Sequence, residues 1–219
     1  MPARLRPTAP IAAEAILVGD PGRALMLAQE LLVQPKMSNH ARGLWGYTGE
    51  TAGGHRLTIQ STGMGGPSAA VVLHDLAELG VRTAVRVGTC VALDEQSAVG
   101  DLVVVGEAHH LGNLERIAAP DPGLTAMLER RLAGSVRRGA VASLDTLHRP
   151  TLEQRPAAGE VADMQTATLL ERGAELGICL ATILVVAEDC DHRVLADEQL
   201  EQVVKEAGTA AAAVVSPSG

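Results

Sequence analysis

Residues 61–89 read STGMGGPSAAVVLHDLAELGVRTAVRVGT and predict, in this order, a glycine-rich turn, a helix and a strand. Gly63 and Gly65 carry no Cβ, so they tolerate positive φ and let a ligand approach the backbone closely. We expect the helix over Ser68–Leu79 and the strand over Thr83–Val87. This order places the start of a helix beside the end of a strand, an arrangement in which backbone N–H groups bind anions.

Outward from this segment, short apolar runs alternate with helical patterns along the chain. The alternation predicts an α/β layer sandwich with right-handed crossovers. No repeat and no long linker divides the sequence, so residues 1–219 are expected to form one domain. Further strands are predicted at Ala15–Val18, Arg56–Gln60, Asp101–Gly106, Gly139–Ser143 and Ala181–Ala187, and further helices at Arg23–Leu32, Leu124–Leu132, Val161–Leu176 and Asp197–Ala213.

The composition is typical of a soluble globular protein. Of 219 residues, 47% are hydrophobic and 20% are charged, and the longest apolar runs are too short to span a bilayer. The net charge of −8 argues against binding to a nucleic-acid backbone. The cysteines Cys90, Cys179 and Cys190 show no paired spacing, and no apolar stretch follows the basic amino-terminal residues. We therefore expect a cytoplasmic protein without a secretory signal.

Arg86 is the first candidate for a binding residue. It stands between Val85 and Val87 on an apolar strand, where a charge needs a partner. Its guanidinium offers forked donors that suit phosphate, and the hydroxyl of Thr89, just beyond the predicted strand, can complete the site. A local positive site in an acidic chain indicates a small anionic ligand.

Three separated stretches together resemble the nucleoside phosphorylases of the purine and uridine phosphorylase type. The first is residues 19–23, GDPGR; the second combines residues 63–68, GMGGPS, with residues 86–90, RVGTC, and residues 100–101, GD; the third is residues 163–167, DMQTA, followed by a strand that ends at residues 188–189, ED. The stretches occur in the family's order over nearly the whole chain. The resemblance implies a three-layer α/β/α sandwich with a central mixed, mostly parallel sheet.

The resemblance also implies a phosphate site, with inorganic phosphate as co-substrate and no cofactor. Phosphorolysis needs such a site because orthophosphate is a weak nucleophile that must be held beneath the anomeric carbon. The phosphate charge also stabilises the positive charge that develops on the sugar. Arg42 matches an arginine lent by a neighbouring subunit, so a dimer, or a hexamer built as a trimer of dimers, is implied. The implied phosphate-binding residues are Gly19, Arg23, Arg42, Arg86 and Thr89, with Arg86 also counted as catalytic.

On the nucleoside side, the resemblance implies that Met64 and Met164 line the ribose. Gln165 stands where the family usually has a glutamate that accepts hydrogen bonds from the sugar hydroxyls, and its carbonyl can still accept one. The family's base-stacking phenylalanine falls on Leu147 or His148. The implied nucleoside-binding residues are Met64, Gly65, His148, Asp163, Met164 and Gln165.

Expulsion of the base requires an acid, which purine phosphorylases place after the late strand. Sequence register favours Glu188 for this role, and Asp189 serves if the loop shifts by one residue. These carboxylates favour a purine nucleoside as substrate. Residues 143–146, SLDT, and 167–170, ATLL, instead resemble the uridine branch.

Two alternatives remain open at this stage. A hydrolase of the related nucleosidase group would use water in place of phosphate, but those relatives lack the arginines of the phosphate site. A repurposed, non-catalytic member is suggested by Gln165 and by the missing phenylalanine.

No metal site is expected. His109 and His110 are adjacent and would face opposite ways on a strand, and neither has a carboxylate or cysteine at ligand spacing. Cys90, beside Thr89, is interpreted as a small buried residue and not as a nucleophile.

Overall fold

The computed structural model describes residues 4–110, 113–147 and 159–216. These residues form one mixed β-sheet with helices on both faces. The strands are β1 (Glu14–Val18), β2 (Val33–Asn39), β3 (Gly46–Glu50), β4 (Arg56–Ser61), β5 (Thr83–Ala92), β6 (Leu102–His110), β7 (Asn113–Ala118), β8 (Val136–Ser143), β9 (Val161–Asp163) and β10 (Cys179–Glu188). The helices are α1 (Pro21–Leu31), α2 (Gly65–Glu78), α3 (Pro122–Arg131), α4 (Thr166–Leu176) and α5 (Asp197–Val215), and a short 3₁₀ helix spans Ala41–Gly43.

The sheet has an open part and a closed part. In the open part, β1 lies between β4 and β5, parallel to both, and β3 and β2 continue the sheet through antiparallel pairings. In the closed part, β5 pairs with β10 and with β9, and β6 and β8 complete a ring. β7 extends β6 outside this ring. Strand β5 therefore belongs to both parts of the sheet.

Side chains of the central strands alternate between two hydrophobic cores. On β1, Ile16 and Val18 point into one core, while Ala15 and Leu17 point into the other. Helices α1, α3 and α5 cover the first core, and helices α2 and α4 cover the second. The expected three-layer α/β/α sandwich with a central mixed sheet is confirmed.

One predicted helix is wrong in its first part. The sequence predicts a helix over Val161–Leu176, but Val161–Asp163 form β9, and α4 begins only at Thr166. β9 pairs with β5 and β8, and the Asp163 carboxylate accepts a hydrogen bond from the backbone N–H of Thr166 at 3.1 Å. Strand pairing and this side-chain contact, which depend on distant parts of the chain, therefore outweigh the local helical pattern.

Helices α1 and α2 directly follow β1 and β4, so both begin at the carboxyl edge of the parallel strands. Asp20 caps α1 by accepting a hydrogen bond from the backbone N–H of Arg23 at 2.8 Å, and Pro21 occupies the first turn. Helix α2 begins after Met64, which makes no side-chain capping bond. Backbone N–H groups of two helices are thus presented at one edge of the sheet. None of the described helices combines the length and apolar character that a membrane span requires.

Candidate functional site

A cavity of about 450 Å³ lies at the carboxyl edge of β1, β4 and β5. Its walls come from the β1–α1 turn, the turn before α2, the end of β5 and the start of α4. The lining residues are Gly19, Asp20, Pro21, Arg23, Gly63, Met64, Gly65, Arg86, Gly88, Thr89, Leu147, Met164 and Gln165.

Arg86 supplies one positive charge to this cavity and is only 4% exposed. Its Nη2 donates to Asp163 Oδ2 at 2.8 Å, its Nη1 donates to Gln165 Oε1 at 2.8 Å, and its Nε donates to Thr166 Oγ1 at 3.1 Å. A guanidinium has five N–H groups. Among the contacts of the described residues, these three bonds leave one N–H on each Nη atom for a ligand. The guanidinium is therefore held in place before any ligand binds.

Gly88 makes room for this guanidinium. A Cβ at Gly88 would lie 2.8 Å from Cζ of Arg86 and 2.8 Å from Cδ2 of Leu184. Both contacts are far inside van der Waals distance, so a larger residue at this position would displace one of the two side chains. The position of the Arg86 guanidinium thus depends on the glycine at residue 88.

Gln165 joins Arg86 to the glycine-rich turn, residues 63–66. Its Oε1 accepts the bond from Arg86 and lies 3.0 Å from the hydroxyl of Thr62. Its Nε2 donates to the carbonyl of Gly63 at 2.5 Å and lies 3.4 Å from the carbonyl of Gly65. The side-chain amide therefore links two walls of the cavity.

Gly63 is required by the backbone of this turn. Its φ is +73°, and a Cβ would lie 2.6 Å from Oγ of Ser68, the hydroxyl that donates to the carbonyl of Thr62 at 2.7 Å. Glycine alone adopts this φ without strain and avoids the clash.

Asp163 contacts the Arg86 guanidinium from the protein interior. It is 1% exposed and is not among the lining residues. Its Oδ1 accepts from Ser143 Oγ at 2.6 Å, and its Oδ2 accepts from Thr166 Oγ1 at 2.6 Å. Ser143 Oγ accepts in turn from the backbone N–H of Ala167 at 2.9 Å. A buried carboxylate needs such partners, and here they fix the start of α4 relative to β5 and β8.

Arg23 supplies the second positive charge from the first turn of α1. Its Nη1 donates to Thr89 Oγ1 at 3.3 Å. Burial lowers the pKa of its guanidinium, Asp20 opposes that effect, and the positive charge of Arg86 lowers the pKa further. Arg23 and Arg86 are thus close enough to repel each other, and an anion between them would relieve the repulsion.

The other predicted phosphate and sugar residues divide between two places. Gly19, Met64, Gly65 and Met164 line the same cavity, and Met64 is 82% exposed. Arg42 does not line it: this residue is exposed, in the 3₁₀ helix, with φ +61°. Arg42 therefore lies outside this cavity.

Of the two predicted acids, Glu188 ends β10 and Asp189 follows it, and neither is among the cavity-lining residues. Oε1 of Glu188 lies 3.0 Å from Nδ1 of His192, and both side chains are partly exposed. Asp189 is 5% exposed, and its Oδ1 accepts from the backbone N–H groups of Asp191 and Arg193 at 2.9 and 3.0 Å. The carboxylate of Asp189 is therefore used to shape its own loop. His148 lies outside the described residues, whereas the neighbouring Leu147 lines the cavity.

Cys90 is buried, and burial raises the pKa of its thiol well above the ordinary range. Its Sγ donates to the carbonyl of Val185 at 3.5 Å. His109 and His110 lie near different carboxylates, those of Glu107 and Glu171, each at 3.2 Å. In the part of the chain that the structure describes, no group of three or more His, Cys, Asp or Glu side chains is placed to hold a metal ion.

The residues that support the site are not evident from the sequence alone. They are Asp20, Thr62, Gly88, Ser143 and Thr166. Asp20, Gly88 and Thr166 stand next to the predicted site residues Gly19, Thr89 and Gln165, whereas Thr62 and Ser143 do not. The roles of the polar residues depend on partners up to 103 positions away, as between Thr62 and Gln165.

The known proteins that this chain is similar to are described as phosphorylases. A family model described as the phosphorylase superfamily matches residues 14–217. The chain is 30% identical to a protein of Bacillus cereus (strain B4264) named purine nucleoside phosphorylase DeoD-type, over 81% of this chain and 82% of that protein. Proteins of the same name from Bacillus thuringiensis (strain Al Hakam) and Bacillus mycoides (strain KBAB4) are similar at the same identity and coverage.

Proposed function

Because the chain belongs to the phosphorylase superfamily, we propose that it cleaves the glycosidic bond of a nucleoside with inorganic phosphate. The products are a free base and a pentose 1-phosphate, and no cofactor takes part. The observation that carries this proposal is the convergence of Arg23, Arg86 and Thr89 on one cavity beside a glycine-rich turn.

The phosphate is bound between the two arginines. Arg86 offers the two N–H groups that its protein partners leave, and Arg23 and the hydroxyl of Thr89 face the same space. Gly19, where the chain leaves β1, lets the phosphate approach the backbone. Charge-assisted bonds of this kind are stronger than neutral ones. They hold one phosphate oxygen against the anomeric carbon, and the phosphate charge stabilises the cationic sugar as the bond breaks.

The charge balance within one subunit favours a contribution from a second. The positive charges of Arg23 and Arg86 are accompanied by the carboxylates of Asp20 and Asp163. A phosphate dianion therefore needs a further positive charge. We propose that Arg42, which is exposed and outside its own cavity, supplies this charge to a partner subunit. The active unit is then a dimer or a hexamer built from dimers.

The nucleoside occupies the other side of the cavity. We propose that Met64, Gly65 and Met164 contact the sugar, and that Leu147, with His148 beside it in the sequence, contacts the base. Asp163 does not line the cavity and acts on the site through Arg86 and through the backbone N–H of Gln165. A purine base is favoured by the carboxylates at the end of β10 and by the purine phosphorylase names of the relatives.

The leaving base receives its proton from a carboxyl group at the end of β10. We propose Glu188 for this step, since its partner His192 leaves it partly exposed, whereas Asp189 is bound to the backbone of its loop. Asp189 becomes the donor if binding of the nucleoside rearranges that loop. Protonation of the base lowers the cost of expelling an anion.

A panel of purine and pyrimidine nucleosides, each incubated with and without phosphate, tests this function. The proposal predicts release of a purine base and a pentose 1-phosphate only when phosphate is present. Cleavage without phosphate would show a hydrolase, and cleavage of uridine alone would show a pyrimidine enzyme. No cleavage of any nucleoside would show a non-catalytic member of the family.

The cysteines bear on the cellular compartment in which the protein acts. Cys90, Cys179 and Cys190 are all free thiols in the structure. Free thiols persist in a reducing compartment. We therefore propose that the enzyme acts in the cytoplasm.

A further inference from the structure

The side-chain amide of Gln165, at the cavity wall, has protein partners on both of its polar atoms. The residue is 3% exposed. Its Oε1 accepts from Arg86 Nη1 at 2.8 Å and faces Thr62 Oγ1 at 3.0 Å, a hydroxyl that also lies 3.0 Å from the carbonyl of Val18. Its Nε2 donates to the carbonyl of Gly63 at 2.5 Å and faces that of Gly65 at 3.4 Å. Both lone pairs of the amide oxygen and both N–H groups of the amide nitrogen therefore face partners within the protein.

The partners determine the orientation of this amide. The guanidinium of Arg86 only donates, so the atom beside it must be the oxygen. The carbonyls of Gly63 and Gly65 only accept, so the atom beside them must be the nitrogen. Rotation of the amide by half a turn would place donors against a donor and acceptors against acceptors. Only one of the two orientations of the Gln165 amide is therefore compatible with its partners.

We propose that Gln165 positions the groups that bind phosphate, and that it does not itself bind the hydroxyls of the sugar. It connects the glycine-rich turn to Arg86, so the N–H groups of Arg86 and the backbone of that turn keep one relative position. A sugar hydroxyl would have to displace Arg86 or Thr62 to reach the carbonyl of Gln165. This inference rests on the proposed function and deepens it, because it removes residue 165 from the contacts that distinguish ribose from deoxyribose.

The amide is the group that suits these surroundings. A glutamate at position 165 would offer only acceptors when ionised, and one oxygen would face the carbonyl of Gly63 at the distance where the amide now donates. Two acceptors in contact repel, so a carboxylate cannot make the connection. The connection thus requires glutamine at this position.

The test compares Gln165→Met with the wild-type enzyme. Methionine keeps the volume and removes both donors and acceptors. The inference predicts that the KM for phosphate rises about tenfold, and that the ratio of kcat/KM for a ribonucleoside to that for the matching deoxyribonucleoside changes by less than about twofold. Gln202→Met, on the exposed face of α5, is the matched control and leaves both quantities unchanged.

A large change of that ratio with an unchanged KM for phosphate would show that Gln165 contacts the sugar, and would overturn the inference. Should Gln165→Met fail to fold, Gln165→Glu keeps the shape, removes the donors and adds a negative charge, and both changes must raise its KM for phosphate. An unchanged KM in Gln165→Glu, or a rise there with none in a folded Gln165→Met, would also overturn it.

A second readout separates this inference from the proposed function. Inorganic phosphate should raise the Tm of the wild-type protein, and Gln165→Met should lose most of that rise. If the wild type cleaves no nucleoside but shows this loss, the proposed function fails and the positioning role stands. If Gln165→Met keeps the full rise, the positioning role fails.

Discussion

Arg86 on β5 and Asp163 on β9 form an ion pair of 2.8 Å in which both side chains are buried, at 5% and 1% exposure. A buried pair gives little net stability when it is intact, but loss of one partner leaves an unpaired charge and is costly. The pair also sets the direction of the guanidinium that lines the cavity. Asp163 therefore links the stability of the fold to the proposed phosphate site.

Substitution of Arg86 tests that link. Arg86→Ala removes a phosphate ligand and leaves Asp163 unpaired, so we expect no measurable phosphate-dependent turnover and a loss of about 3–5 kcal/mol in the free energy of unfolding. Arg86→Lys keeps the charge but has only three N–H groups on one nitrogen, too few to hold Asp163, Gln165 and Thr166 and also bind phosphate, so the KM for phosphate should rise at least about tenfold. Steady-state kinetics and denaturant unfolding measure the two effects. Turnover retained in Arg86→Ala would count heavily against the assignment.

Gly88→Ala tests whether room for the guanidinium is essential. The new Cβ would lie 2.8 Å from Cζ of Arg86, so we expect a raised KM for phosphate and a destabilisation of about 1–3 kcal/mol. Gly53→Ala is the matched control, because its Cβ would meet nothing closer than 3.5 Å and its φ is not positive. If both variants show wild-type kinetics, Arg86 does not bind the phosphate in the position seen here.

The contribution of Arg42 to a partner can be tested by complementation. Arg23→Ala and Arg42→Ala should each be nearly inactive alone. Co-expressed, they form mixed dimers in which one site keeps its own Arg23 and receives Arg42 from the other chain. Random pairing then restores about a quarter of wild-type activity. Complementation would be absent if Arg42 served its own subunit, and Arg42→Ala would be fully active if this residue had no role.

Cys90 should be inert in the folded enzyme. Only the thiolate reacts with disulfide reagents, and burial raises the pKa of this thiol. In a variant with Cys179→Ser and Cys190→Ser, we expect no reaction with such a reagent under native conditions and complete reaction after unfolding. Rapid labelling of the native variant would contradict the burial of Cys90 and the interpretation that it is not a nucleophile.

The local segments of the fold were predictable from the sequence because their signals are local. The apolar run of β1, the Asp20-Pro21 start of α1 and the glycine-rich turn before α2 each depend on neighbouring residues. The closed part of the sheet was not predictable. It depends on β9, a strand of three residues that pairs with β5 and β8, and no local pattern marks so short a strand.

The candidate site, like the fold, has features that local sequence predicts and features that depend on distant residues. The sequence indicates that Arg86 needs a partner, because it stands in an apolar strand, but the partner is Asp163, 77 positions away. The sequence also identifies Gln165 as a departure from the family. Its connection to Gly63 depends on a contact across 102 positions, which only the folded chain reveals.

The most direct test is a crystal structure of the protein with phosphate at a saturating concentration. We predict one phosphate in the cavity, within hydrogen-bond distance of the guanidinium groups of Arg23 and Arg86 and of the hydroxyl of Thr89. An empty cavity with these side chains turned to solvent, or phosphate bound only elsewhere, would contradict the account.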